Sequence, residues 1–164
     1  MAKYSLSTLP KNLDELKSLP MSDLKDPEAT ALLTVAAFAR YPESPEDCLA
    51  MIDYLKGPAE VSTYEKSFIK DRFATQSFIP MSYLQGATPE NGYVPNVPYE
   101  ITVVENPHAD DLLAEGYKKV YLKSSGADAP RYLNLRTKPS TGQWFLHEQF
   151  ILVSVRDKVD AAWV

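Results

Sequence analysis

The sequence is short of cysteine, glycine, positive charge and long apolar runs, and each shortage removes a class of protein. A single cysteine, Cys48, leaves no partner for an internal disulfide and fits a reducing compartment, with the cytoplasm as the expected location. Lys and Arg number 17 against 22 Asp and Glu, a net charge of −5. Neither part of the chain is basic. Residues 1–97 carry 9 cations against 13 anions, and residues 98–164 carry 8 against 9. Nucleic-acid binding rests on neutralising phosphates with a basic patch, so a nucleic-acid partner is not expected. No apolar run approaches the roughly 20 residues of a bilayer span, and the first residues lack the apolar core of a signal peptide. A membrane partner is not expected either. No Gly-rich phosphate fingerprint occurs, and no cofactor or metal set is evident.

What is present is an ordinary globular composition, 45% apolar and 24% charged, in a chain of single-domain length. Thirteen prolines against six glycines indicate ordered connections with stiffened backbone. The organising stretch runs from Asp26 to Tyr41. Asp26 caps, Pro27 fits the first helical position, and Glu28 opposes the positive end of the helix dipole. From Ala29 to Ala39 every residue is apolar or Thr, so this helix is expected to be buried on most sides.

Three further helices are read around it. Asn12 opens a short one carrying Leu13, Leu16 and Leu19 and ending at Pro20. Ser44-Pro45-Glu46-Asp47 opens another, with Cys48, Leu49, Ile52 and Leu55 on one face and Gly57-Pro58 as its stop. Ser62 and Glu65 form a capping box for the fourth, in which Tyr64, Phe68 and Phe73 are expected to share a side. Beyond residue 98 the period changes to two, through Ile101 and Val103, Val120 and Leu122, and Leu133 and Leu135. The longest strand signal spans Gln143 to Val155, with its alternation broken near His147-Glu148-Gln149, as a bulge would break it.

These signals predict an α+β fold: about four N-terminal helices packed on one face of a C-terminal, mainly antiparallel sheet of about four strands. The single domain divides into a helical part (1–75), an ordered Pro- and Tyr-rich connection (76–98) and the sheet (99–156). The connection is too long and too apolar for a plain loop. It is expected to pack down, leaving the tip at Thr88–Gly92 in water.

The candidate sites each have an ordinary alternative. Cys48 lies near a helix start, yet its apolar neighbours make it a small core residue. His108, Asp110 and Asp111 offer metal-ligand types in one loop, but they also read as a turn and a helix cap. His147 and Glu148 are the polar pair inside the most apolar strand. Adjacent strand residues face opposite ways, so they can cooperate only if a bulge re-aims one. The turn Ser124–Asp128 followed by Arg131 has the composition of an anion nest. Lys119, Tyr121, Tyr132 and Arg136 should share the outer sheet face, an aromatic and cationic surface able to hold a planar or anionic ligand. That face, with Arg131 and the tyrosines Tyr83, Tyr93 and Tyr99 of the connection, is the best binding candidate.

Two resemblances accompany these readings. Tyr132-Leu133-Asn134-Leu135-Arg136-Thr137-Lys138-Pro139-Ser140-Thr141-Gly142 is similar to the opening motif of bacterial SH3 domains, which bind cell-wall peptides, with Lys138 where Gly is usual. Tyr41-Pro42-Glu43, the Gly86–Asn91 block, Glu115-Gly116-Tyr117, the Gly126–Arg131 turn and Gln143-Trp144-Phe145-Leu146 together resemble a domain-of-unknown-function family of small bacterial proteins common in gut Firmicutes. The second likeness covers most of the chain and implies no reaction, substrate or catalytic residue. The expected function is therefore unknown. The leading reading is a non-catalytic module binding a small molecule or a protein in a bacterial cytosol. The alternative is a small hydrolase or isomerase with a site near His147, Glu148 and the 76–98 segment. Oligomeric state is left open.

Overall fold

In a computed structural model of the chain, which describes residues 3–159, the helical half and the sheet share one continuous apolar core. Four helices occupy the first half: α1 (Leu13–Lys17), α2 (Pro27–Ala39), α3 (Pro45–Lys56) and α4 (Thr63–Thr75). A four-stranded antiparallel meander follows, in the order β1 (Val103–Val104), β2 (Tyr117–Leu122), β3 (Arg131–Lys138) and β4 (Gln143–Gln149). The α+β architecture expected from the two periods is the one formed. The segment similar to a bacterial SH3 opening lies in β3 and its turn, so it is the middle of a meander and begins no barrel.

Each of the four helices starts with the expected side-chain cap. The Asn12, Asp26, Ser44 and Ser62 side chains accept from backbone N–H groups two or three residues on, and Glu65 completes a reciprocal box with Ser62. Helix α2 is the centre: every residue from Ala29 to Phe38 is buried. Its two threonines remain satisfied there. Thr34 donates to the Thr30 carbonyl, and Thr30 donates 2.8 Å to the Trp144 carbonyl of β4, which fixes the helix to the sheet.

Helix α4 departs from expectation. Ile69 and Phe73 are its buried residues, with Phe73 stacked on Tyr41 and Phe38, while Tyr64 is 80% exposed. At about 100° per residue, Tyr64 and Phe73 lie on opposite sides of a helix, so a shared face was the wrong reading of that spacing.

Strand β4 also ends sooner than its apolar run. Phe150 N–H still reaches the Tyr132 carbonyl, but the Gln149 side chain then accepts from both Ile151 and Leu152 N–H groups. That bend lets two consecutive residues, Ile151 and Leu152, both be buried, which a strand alternating its faces would forbid. The connection 76–98 is packed, as its apolar content required. Two 3₁₀ turns, Ile79–Tyr83 and Pro89–Asn91, shape it. Asn91 holds its tip with four hydrogen bonds, to Thr88 N, Val94 N, Gly86 O and Val94 O. Glu90 and Asn91 face water, but Pro89 is buried and its carbonyl accepts from Val159 N–H. Among the described residues no helix is long and apolar enough to cross a membrane.

Candidate functional site

The sheet has one face on α2 and one face open. Val120, Leu122, Leu133, Leu135 and Leu146 point inward and are buried. Strict pairing then sets the outer face. Tyr117 opposes Arg136, Lys119 opposes Asn134, Tyr121 opposes Tyr132, and Arg136 opposes Phe145. Directly paired residues share a face, so these side chains form one surface across three strands.

The surface is a run of rings with cations laid on them. Tyr121 meets Tyr132 at 5.3 Å between ring centroids, and Tyr132 meets Phe150 at 4.7 Å. The Lys119 ammonium sits 4.9 Å over the Tyr132 ring, and the Arg136 guanidinium 5.8 Å over Tyr117. Each cation is attracted by the negative face of its ring, which places it without neutralising it. Among the described residues neither Lys119 nor Arg136 forms an ion pair. Lys119, Tyr121, Tyr132 and Arg136 are therefore brought together, in the register that alternation had implied.

The break in β4 is a bulge. Leu135 pairs with Leu146, but the next pair is Asn134 with Glu148, leaving His147 as the extra residue. Its consequence is chemical. His147 Nε2 lies 3.9 Å from Glu148 Oε1, and the His147 ring packs 5.1 Å from Tyr117. Asn134 donates to the same Glu148 oxygen at 3.4 Å. An unbulged strand would have set the two residues on opposite faces. Beside them a groove of about 460 Å³ opens between α4 and β4, with Phe68 and Phe150 as its walls. None of the residues lining that groove comes from 76–98.

The remaining candidates are placed elsewhere. Tyr83 is buried and its hydroxyl donates 2.5 Å to the Ile151 carbonyl. Tyr93 is buried, stacked flat on Phe78, and donates 2.5 Å to the Arg156 carbonyl. Burial raises both phenols above the ordinary tyrosine range. Tyr99 is half-buried and pairs backbone to backbone with Leu6. Arg131 donates to the carbonyls of Ala129, Val153 and Ser154. The turn before it is occupied from within: Ser125 N–H goes to the Ser82 carbonyl and Gly126 N–H to Ser124 Oγ. Its amides do not converge on an open nest.

The His108 loop is divided in the same way. His108 Nδ1 lies 3.0 Å from Asp111, while Asp110 pairs with Lys118 at 2.6 Å. Cys48 is fully buried, and burial pushes its thiol up to about 12, which suits a core residue and not a nucleophile at neutral pH.

Sequence reasoning missed Phe145, Phe150 and Lys138 as members of the surface. Phe150 carried a signal, because it continues the outer-face alternation after a one-residue bulge. Phe145 carried none, since Trp144, Phe145 and Leu146 are all apolar and only the pairing with Arg136 shows which face Phe145 takes.

The fold and this face define an α+β chain built on a four-stranded meander with an open aromatic–cationic surface. Residues 8–159 match the family described as "Domain of unknown function (DUF6935)", and the chain belongs to that family. No curated protein and no solved structure matches the chain.

Proposed function

We propose that the protein is a non-catalytic binding module of a bacterial cytosolic protein, and that its outer sheet face receives a planar anion. The observation that carries this reading is the pair of cation–ring contacts, Lys119 over Tyr132 and Arg136 over Tyr117, on one open surface. A ring supplies the flat contact, and a cation held on a ring keeps its charge for an incoming anion. Arg131, Tyr83 and Tyr93 donate to carbonyls of the segment that follows β4 and stand outside this face. A small molecule or an acidic protein segment fits this chemistry, without a cofactor or metal. Duplex nucleic acid and anionic membranes suit it poorly, because the chain as a whole is anionic. The cytosolic assignment draws on the lone buried thiol.

Titration of ¹⁵N-labelled protein with naphthalene-2-sulfonate, a planar anion, tests the reading. Saturable shifts are expected at Lys119, Tyr121 and Tyr132, and both Lys119→Gln and Tyr132→Ala should weaken binding several-fold. Shifts confined to other surfaces would overturn it.

The bulge supports a second reading, a small hydrolase or isomerase using His147 and Glu148 beside the groove. It requires hydrolysis of an activated ester such as p-nitrophenyl acetate to exceed that of free imidazole and to vanish in His147→Ala. The binding-module reading expects neither.

A further inference from the structure

The α3–α4 turn crosses the edge of β4 and closes a small pocket at the Arg136 end of the outer face. Gly57 makes the crossing possible. Its φ is +60°, and a Cβ built there would lie 2.5 Å from the Phe145 ring. The turn Gly57–Ala59 therefore lies directly on Phe145, and Pro58 faces the β3–β4 turn across a pocket of about 280 Å³.

The charged side chains around this pocket are of one sign. Arg136, Lys138 and Lys56 line it beside Thr137 and His147, and no carboxylate among the described residues does. Lys56 is already neutralised, because its ammonium donates 2.8 Å to Glu65 and 3.0 Å to the His147 carbonyl. Arg136 and Lys138 form no ion pair among the described residues, and both are exposed. Two cations without an ion-pair partner among the described residues thus share the pocket with the Phe145 ring, Pro58, Ala59 and Pro139. The other groove beside His147 has Glu65 and Glu148 on its lip and lacks this polarity.

We infer that this pocket binds a small monocarboxylate with a flat apolar body, the carboxylate held between Arg136 and Lys138 and the body on Phe145. The inference rests on the anion-binding reading of the face and adds a second, smaller anion site at its Arg136 end. Charge complementarity selects the anion, and the guanidinium fork matches a carboxylate in two parallel hydrogen bonds. Size selects a ligand of a single ring, since drug-sized ligands occupy pockets of roughly 300–1,000 Å³.

Benzoate is the probe, with benzyl alcohol as its neutral counterpart, in amide-shift titrations of the full chain. Benzoate is expected to produce saturable shifts at Ala59, Arg136, Lys138 and Phe145, with benzyl alcohol binding about tenfold more weakly. Arg136→Gln and Lys138→Gln should each weaken benzoate about fivefold or more, while Lys66→Gln on the solvent side of α4 leaves it unchanged. Equal binding of benzyl alcohol would overturn the inference, as would the absence of saturable shifts at tens of millimolar benzoate. Benzoate shifts confined to Lys119 and Tyr132 would overturn the pocket while leaving the anion-binding face intact. Loss of naphthalene-2-sulfonate binding at Lys119 with benzoate retained at Arg136 would do the reverse.

Discussion

The Lys56 ammonium is 5% exposed and donates 2.8 Å to the carboxylate of Glu65, itself one-third exposed at 34%. Lys56 ends α3 and Glu65 sits in the first turn of α4, so the pair fixes the turn that crosses β4. Removing the carboxylate leaves a buried ammonium without a counter-charge, a costly state, whereas removing the lysine leaves an acid that water can reach. Glu65→Gln should therefore destabilise by about 1–2 kcal/mol and Lys56→Met by less, as read in urea melts. A larger loss in Lys56→Met would mean that its bond to the His147 carbonyl outweighs the ion pair.

The same pair sets an acid limb of stability. Burial alone would raise the Glu65 pKa, but hydrogen bonds from Lys56 and the Ser62 backbone outweigh it and hold the group below the ordinary glutamate range. A carboxyl depressed in the fold contributes stability that is full above its unfolded pKa and is lost as pH falls through the folded value. Wild-type stability should fall on acidification below the ordinary glutamate range, and Glu65→Gln should show a shallower decline. Parallel declines in the two proteins would remove Glu65 from this role.

Much of the fold was legible because it is written in local signals. The four helix starts carry caps whose chemistry needs no tertiary context, and α2 announces its burial by having no polar stripe. The outer face was legible for a similar reason, since period-two alternation alone puts Tyr121 and Lys119 on one side. Two things were not. Tyr64 and Phe73 were grouped by residue type where angle around the helix decides, and the end of β4 depends on Gln149 turning back on its own backbone. The Arg136 pocket depends on contacts between residues about eighty positions apart, which no local pattern records.

Burial of Cys48 yields a kinetic expectation. With its thiol pushed up to about 12 and no exposure, it should react with a disulfide reagent only when the core opens. Labelling at pH 8 should be slow in native protein and should accelerate in parallel with global unfolding as urea is added. Fast labelling in the absence of denaturant would show that α3 opens independently.

Tyr83 and Tyr93 belong to the Pro- and Tyr-rich connection and are binding candidates by sequence, yet both hydroxyls end on carbonyls of the chain beyond β4. Their substitution should act on stability. Tyr83→Phe leaves the Ile151 carbonyl without its donor inside the core and should cost about 1–2 kcal/mol. Tyr93→Phe should cost less, because its hydrogen bond to the Arg156 carbonyl is only partly buried and its ring stacking on Phe78 is kept. Naphthalene-2-sulfonate affinity should be unchanged in both, and a several-fold loss in either folded variant would return the segment to the binding surface.

Gly57 is where the fold and the proposed pocket meet. Its left-handed φ disfavours any side chain, and a Cβ there would enter the Phe145 ring. Phe145 cannot retreat inward, because the adjacent Leu146 fills the core and the Trp144 backbone is held along the free edge of β4, its N–H by the Leu24 carbonyl and its carbonyl by the Thr30 hydroxyl. The ring must therefore swing outward, toward Arg136, or the turn must lift from the sheet. Either movement alters the pocket, while the α2 core should remain intact. Gly57→Ala is expected to lose about 1–3 kcal/mol in urea melts and to bind benzoate several-fold more weakly, with naphthalene-2-sulfonate bound as in the wild type. A Gly57→Ala protein of unchanged stability would show that the turn does not press on Phe145. Weakened naphthalene-2-sulfonate binding would show that the two ends of the face move together.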